Sequence, residues 1–466
     1  MSFQSVIDQI PDFHRFFRVE EMDCRSLQLA KDYPDRVEVM ERGRSREGNP
    51  IYVIKIGSGS KNALLFGCPH PNEPIGAMML EVLSELLAKD DPALRELDYT
   101  WYLIKSIDID GTKRNEGWFD DSSSIRKYAE HFYRPASFEQ VEWTFPVDYK
   151  TLHFHDPLPE TKVLMEIIEE KKPVFMYSLH NSGFGGVYYY VSGTLTDSLF
   201  DLFQSIPGQF QLPLNLGEPE VPYLKPFAPA IFPMFGISDE YDYLEKHLPK
   251  GMDPATVIQA GTSSDDYAKK IADTYSLVCE MPCYFDPRVN DQTTVEQSRQ
   301  HFLQKAVQSG KENYDRLQAI FSTIESAIQK KDSPFFTAVH HYLAMIPNHL
   351  AAQENWIKTD ETLQRPATKA EEFDNLYAQK FYNLLMQGMM RRMIRENLEG
   401  ASGNAAMKEA LEKADQCFEE TVDFLEKNLA YQTIPIKKLI SVQMLAGLHT
   451  MKTIQEQSQA NSEGMS

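Results

Sequence analysis

Apolar residues recur along this chain in two rhythms. Unbroken short runs, such as Ile51-Tyr52-Val53-Ile54-Lys55-Ile56 and Ala63-Leu64-Leu65-Phe66-Gly67, predict strands buried on both faces. Further runs predict strands over 99–106, 173–179, 186–192 and 275–281. Between several of them, apolar positions three and four apart predict helices over 73–89, 159–171 and 195–206, with another around Cys24–Asp32. Such alternation predicts an α/β fold, a mixed sheet with helices on both faces. Sites in sheets of this kind gather at the carboxyl ends of the strands.

The rhythm changes twice. From Asn215 to Ala260 the chain carries Pro219, Pro222, Pro226, Pro229 and Pro233 with aromatics between them, which predicts a long surface excursion of the kind that rims a site. Beyond about Thr294 the helical spacing takes over, with stretches near 294–330, 335–357, 368–398, 404–430 and 436–457. Breaks fall at Asp332-Ser333-Pro334, Arg365-Pro366 and Gly400-Ala401-Ser402-Gly403. The expected organisation is a mixed α/β domain over 1–300 and an all-α domain over 301–466. Its last residues, after about Glu456, are expected to be disordered. No internal repeat is visible.

Charge narrows the partners. Among 466 residues, 47 Lys and Arg stand against 68 Asp and Glu, a formal net charge of −21. Nucleic acid is excluded as a partner, because phosphate binding needs a basic field, and a cationic substrate is favoured. The opening MSFQSVIDQIPDFHRFF has no basic segment ahead of a long apolar core, so no secretory signal is expected. Nor does any run of about 18 apolar residues exist to span a membrane. The five cysteines have no framework spacing, and a reducing cytoplasm fits them. Cys68 and Cys279 lie near the candidate site and read as buried free thiols.

The chemistry gathers at strand ends. His70 and Glu73 follow the run 63–67 in LLFGCPHPNEPIGA, His180 follows 173–179 in MYSLHNSG, and Glu280 closes 275–281 in YSLVCEMPC. Together these read as three zinc ligands and a general base, since a catalytic zinc takes three protein nitrogen and oxygen ligands and leaves a position open. Each has an ordinary alternative: a strand-end histidine is commonly structural, and a glutamate at a helix start is a favourable first-turn charge. Glu280 is harder to dismiss, because an unpaired carboxylate between Val278-Cys279 and Met281 would be costly. His153 and His155 in LHFHD, His340-His341 and the Met389–Met393 run read as incidental.

Five blocks then appear in a telling order: GRSREGNPIYVIKIG, HPNEPIGA, DIDG at 108–111, LPETKVLMEII and SLHNS. Across roughly residues 20 to 300 the chain resembles the zinc carboxypeptidase family. The resemblance implies that family's fold, one zinc per chain on His70, Glu73 and His180, Glu280 as general base, and Arg134 in HFYRP polarising the scissile carbonyl, with Arg126 as a competitor. Where the family grips a substrate's terminal carboxylate with Asn-Arg-Asn before Phe-Pro, this chain has Glu142-Trp143-Thr144 before Phe145-Pro146. An acid and an indole replace a bidentate guanidinium, so Arg114 or Arg288 takes over or the substrate end is no free carboxylate. The family's aspartate behind a zinc histidine falls on Gln140, or on Glu139 with a one-residue slip.

Counting back from Glu280, the family's pocket-floor position falls on Asp265. An acid there selects Lys or Arg, unless Asp265 simply caps the following helix. With Glu142 and Trp143 it would make an acidic substrate pocket. The family's mobile tyrosine falls on Ile258, leaving Tyr241, Tyr243 or Tyr267 to stand in. The leading expectation is a zinc-dependent carboxypeptidase acting on a small peptide or peptide-like substrate with a cationic residue. The alternatives are a deacylase or amidohydrolase releasing an amine-bearing fragment, and a non-catalytic zinc-holding binding protein.

Overall fold

Eight strands make one sheet in the computed structural model, which describes residues 3–399 and 404–463. In chain order they are β1 Val37–Arg44, β2 Pro50–Ile56, β3 Lys61–Gly67, β4 Tyr99–Ile104, β5 Phe175–Leu179, β6 Tyr188–Val191, β7 Ile231–Pro233 and β8 Tyr275–Glu280. Their spatial order is β1-β2-β4-β3-β5-β8-β6-β7. At its centre β4, β3, β5 and β8 run parallel, while β1 and β2 are antiparallel to their neighbours and β6 is antiparallel to β8, so the sheet is mixed as expected. The parallel centre explains the unbroken apolar runs, since every residue from Ala63 to Gly67 is buried.

The helices longer than ten residues are α1 Val19–Asp32, α2 Ile75–Ala88, α3 Pro159–Lys171, α4 Asp197–Gln209, α5 Ile237–His247, α6 Arg299–Ile324, α7 Pro334–Thr359, α8 Gln379–Glu399, α9 Ala405–Asn428 and α10 Ile436–Glu463. Alternating residues of each central strand face opposite layers. Ala63, Leu65, Phe175, Tyr177, Leu277 and Cys279 join the larger core with α2 and α10. Leu64, Phe66, Tyr102, Ile104 and Met176 join a second core with α3.

Three expectations change. The excursion over 215–260 is not loop alone: its apolar Ile231-Phe232-Pro233 pairs in parallel with β6 as an edge strand, and α5 follows. The expected disorder after Glu456 is also overturned, because α10 continues to Glu463. The break at Gly400–Gly403 lies outside the described residues, as do the last three of the chain. Finally, most buried residues of the helices beyond residue 300 share the main core with the sheet, and a small cluster of Leu303, Val307, Trp356, Ile357 and Leu363 stands beside it. Tyr177 and Tyr99 of the sheet donate hydrogen bonds to the carbonyls of Gln443 and Met451 on α10, at 3.0 and 3.2 Å.

Candidate metal centre and its cleft

Three parallel neighbours, β3, β5 and β8, end at the same edge of the sheet, with Gly67 in register with Leu179. Just past Gly67, Cys68 sits in the left-handed region at φ 51°, an uncommon conformation for a residue with a Cβ, and turns the chain into the loop that carries His70. The Glu73 amide closes that loop on the His70 carbonyl at 3.1 Å, and α2 begins two residues on. DIDG buttresses it. Asp108 accepts the Gly111 amide at 3.0 Å, and Gly111 lies so close to Pro71 that an added Cβ would stand 2.6 Å from the proline. Asn181, beside His180, accepts the Ile75 amide and gives its own to Glu73, tying the loop after β5 to the start of α2.

The three candidate ligands converge. His70 Nδ1 lies 3.2 Å from Glu73 Oε1, His180 Nδ1 lies 3.0 Å from Glu73 Oε2, and the two Nδ1 atoms are 3.1 Å apart. Ligands of a tetrahedral zinc, each at about 2.0–2.1 Å, stand about 3.3 Å from one another. The triangle therefore has the size and the nitrogen and oxygen chemistry of a zinc site. Without a cation, burial and the Arg134 charge push His70 down to about 3. For His180 burial opposes protonation, yet its hydrogen bond to Glu73 and the charges of Glu73, Glu280 and Glu142 raise it to about 9.

The Glu280 carboxylate lies 3.8 Å from His180 Nδ1, at the end of β8. Burial, reinforced by the Glu73 charge, pushes its carboxyl well above the ordinary range. Arg134 donates to Glu73 at 2.9 Å and to Asn72 at 3.3 Å, while its Nε donates to Gln140 at 3.3 Å. Gln140 thus supports an arginine and not a zinc histidine. Arg126 pairs with Glu419 instead. Arg114 is paired with Glu47 and Arg288 with Asp286, and neither is on the cleft wall.

The expected substrate pocket is corrected by the geometry. Glu142 lies behind the metal centre, where Ser264 donates to it from its amide at 3.0 Å and its hydroxyl at 2.7 Å, and the Ser178 hydroxyl donates at 3.0 Å. Ser178 Oγ in turn lies 2.9 Å from His180 Nε2. Since Ser178 spends its one proton on Glu142, it must accept from His180 Nε2–H, which holds the ring with Nδ1 aimed at the Glu73 triangle. Trp143 packs against a separate small core and meets Phe235 in a tilted ring contact at 5.7 Å. Asp265 is buried against Ser192 at 3.0 Å and Lys269 at 2.5 Å, so its charge is already answered. None of the three lines the cleft.

Of the tyrosines considered for the mobile position, Tyr241, Tyr243 and Tyr267 are also absent from the wall, and Ile258 is core. Tyr188, Tyr342 and Tyr382 are present there instead. His153 and His155 both bond Asp148, at 2.7 and 2.9 Å, as an exposed group on the 147–154 hairpin away from the cleft.

The cleft is a cavity of about 560 Å³, within the range of small-ligand sites. His70, Glu73 and Glu280 stand on one side, and α6, α7 and α8 supply much of the other through residues such as Leu303, Tyr342, Trp356 and Tyr382. Sequence reasoning missed this wall, and it missed Gln443. From α10, Gln443 Nε2 donates to the carbonyls of His180 at 2.7 Å and Cys279 at 3.2 Å, clamping the two strand ends that carry His180 and Glu280. Ser178 was findable, because a residue two before a ligand in a strand shares its face.

The zinc carboxypeptidase family model matches residues 26–330. Zinc carboxypeptidase A 1 of Anopheles gambiae is 30% identical over 105 residues, 22% of this chain and 24% of the relative, so the match spans about a quarter of that protein's length. Among solved structures, carboxypeptidase A of Helicoverpa armigera is similar at 15% identity, with 60% of this chain and 69% of that one covered and a TM-score of 0.39. A metallo-carboxypeptidase of Burkholderia cenocepacia follows at 16% identity, 57% and 60% coverage and a TM-score of 0.36. The murein-tripeptide amidase of Escherichia coli O157 is 15% identical over 52% of this chain and 82% of its own, with a TM-score of 0.26. Because the family model runs through well over half of the chain, from before the first strand to beyond the last, this protein belongs to the zinc carboxypeptidase family.

Proposed function

We propose that this protein hydrolyses an amide bond in a small peptide or peptide-like substrate bearing a cationic group, using one zinc held by His70, Glu73 and His180. The observation that carries this reading is the convergence of two histidine nitrogens 3.1 Å apart, each 3.0–3.2 Å from an oxygen of Glu73, with the Glu280 carboxylate beside them on the wall of a cleft. Bound there, zinc supplies Lewis acidity toward water and toward the carbonyl to be cleaved. Glu280 takes the proton of the attacking water as the C–O bond forms, and gives it to the nitrogen as the C–N bond breaks. Arg134, on the same wall, offers its guanidinium to the negative charge growing on the carbonyl oxygen. Residues 1–300 carry this chemistry and residues 301–466 shape the space around it.

The test is Glu280→Gln beside the wild type on short peptides ending in Arg, Lys, Phe or Glu, with zinc measured in both. Turnover should fall at least about 100-fold while zinc stays at one per chain. A variant that retains its rate would sink the assignment. A second reading, release of an amine from a substrate without a free carboxylate, is favoured by one observation: both guanidiniums on the cleft wall are engaged, Arg134 by Glu73 and Arg299 by Glu218. Comparing a substrate with its C-terminal amide separates the two, and equal rates select the amidase.

A further inference from the structure

The carboxylates of the cleft wall are Glu73, Glu218, Glu220, Glu280 and Asp374. Glu73 and Glu280 belong to the metal centre. Glu218 is closed by Arg299, whose Nε and Nη2 both reach it at 2.5–3.1 Å, and by Asn375 at 2.9 Å. Asp374 accepts the Glu218 amide at 2.7 Å and is pushed by burial up to about 8, so it is largely uncharged at neutral pH. Glu220 is different. It is exposed to the cavity, and its carboxylate takes hydrogen bonds from Tyr190 at 2.8 Å and Tyr188 at 3.5 Å. Among the described residues no lysine or arginine forms an ion pair with it.

Its position follows from sheet register. Tyr188 on β6 is the direct cross-strand partner of Glu280 on β8, and Tyr190 is the partner of Val278. Directly opposed side chains on one face stand about 5 Å apart. A carboxylate bonded to Tyr188 therefore sits over β6, one strand from the base. Tyr188 and Tyr382 line the same cavity as Glu220 and Glu280, Tyr382 coming from α8 with 45% of its surface exposed. One exposed carboxylate beside two aromatic side chains, with no lysine or arginine ion-paired to it among the described residues, describes a subsite open to a cation. Aromatic faces attract such a partner through their quadrupole, and the carboxylate fixes it with charge-assisted hydrogen bonds.

Resting on the hydrolytic reading above, we propose that Glu220, flanked by Tyr188 and Tyr382, is the carboxylate that selects a guanidinium or ammonium group on the substrate. The role expected of Asp265 thereby moves to a residue from the proline-rich segment, and the helical region contributes the far aromatic wall. A substrate cation would give Glu220 the counter-charge that Arg299 gives Glu218, and the acidic surface raises its local concentration.

Paired peptides that differ only in a terminal arginine or its neutral isostere citrulline test this on the zinc-loaded protein. The wild type should prefer arginine roughly 10- to 100-fold in kcat/KM, the range of a charge-assisted hydrogen bond. Glu220→Gln should bring that ratio to within threefold, by slowing the arginine peptide more than the citrulline peptide. Tyr382→Ala should erode the preference partway. A preference that survives Glu220→Gln, or an equal loss for both peptides, overturns the proposal. Calorimetric binding of free L-arginine against L-citrulline supplies a readout that needs no turnover. Glu220-dependent arginine binding by a protein that cleaves neither peptide would defeat the hydrolytic reading and keep this one. No arginine preference in either assay defeats this one.

Discussion

Ser178→Ala tests how the metal centre is aimed. The hydroxyl joins two buried groups, accepting from His180 Nε2–H across 2.9 Å and donating to Glu142 across 3.0 Å. Alanine leaves both without that partner. Glu142 retains its two bonds from Ser264, so the greater loss falls on His180, whose Nε2–H has nothing to hold it. One buried donor left unsatisfied costs about 1–3 kcal/mol, and the ring escapes that cost by shifting its proton to Nδ1, the atom that faces Glu73 and His70. A proton there must be displaced before a metal binds. Zinc affinity should accordingly fall by about 10- to 100-fold, since about 1.4 kcal/mol is a factor of ten. Competition against a chelator of known affinity reads this directly, and a melt of the metal-free protein separates it from general destabilisation. Zinc affinity within threefold of wild type would refute the relay from Glu142 through Ser178 to His180.

Two further outcomes follow from groups outside the metal triangle. Gln443→Ala deprives the His180 and Cys279 carbonyls of one donor, so the unfolding free energy should drop by about 2 kcal/mol in denaturant titrations at fixed zinc; a change under about 0.5 kcal/mol would show that α10 does not clamp these strand ends. Asp374 is raised to about 8 by burial, so the folded protein binds its proton more tightly than the unfolded chain, whose value is about 3.9. Its contribution is fully present below about pH 4 and is lost as pH rises toward 8. Asp374→Asn cannot ionise, and its melting temperature should gain on the wild type steadily between pH 5 and 8; parallel curves would deny the raised value.

Much of the fold was legible because burial on both faces leaves unbroken apolar runs. Ala63–Gly67 and the run over 275–281 read as strands, and both lie in the parallel centre of the sheet. The strand 231–233 was not legible, since three residues containing a proline carry no period, and only the open edge of β6 makes them a strand. The helix past Glu456 was hidden by its polar composition, although Gln457 donates to the Leu195 carbonyl at 2.7 Å and Gln455 to that of Glu96 at 2.9 Å. Asp265 failed as a pocket acid because register counting fixes a position along the chain, whereas Lys269, one helical turn on, decides whether its charge is free.

The sequence alone determined the chemistry on offer: two histidines and two glutamates at the ends of apolar runs, spaced so that a parallel sheet must bring those ends to one edge. Periodicity carries that information because burial is a local demand on each segment. What only the tertiary structure decided is what those groups face. It turned Glu142 from a substrate group into the support of His180, set Gln443 across two strand ends and closed the cleft with helices from beyond residue 300. It also placed Glu220 across from Tyr382, although 162 positions separate them in the chain. Contacts over such separations depend on how whole layers pack, and no local pattern of residues encodes them.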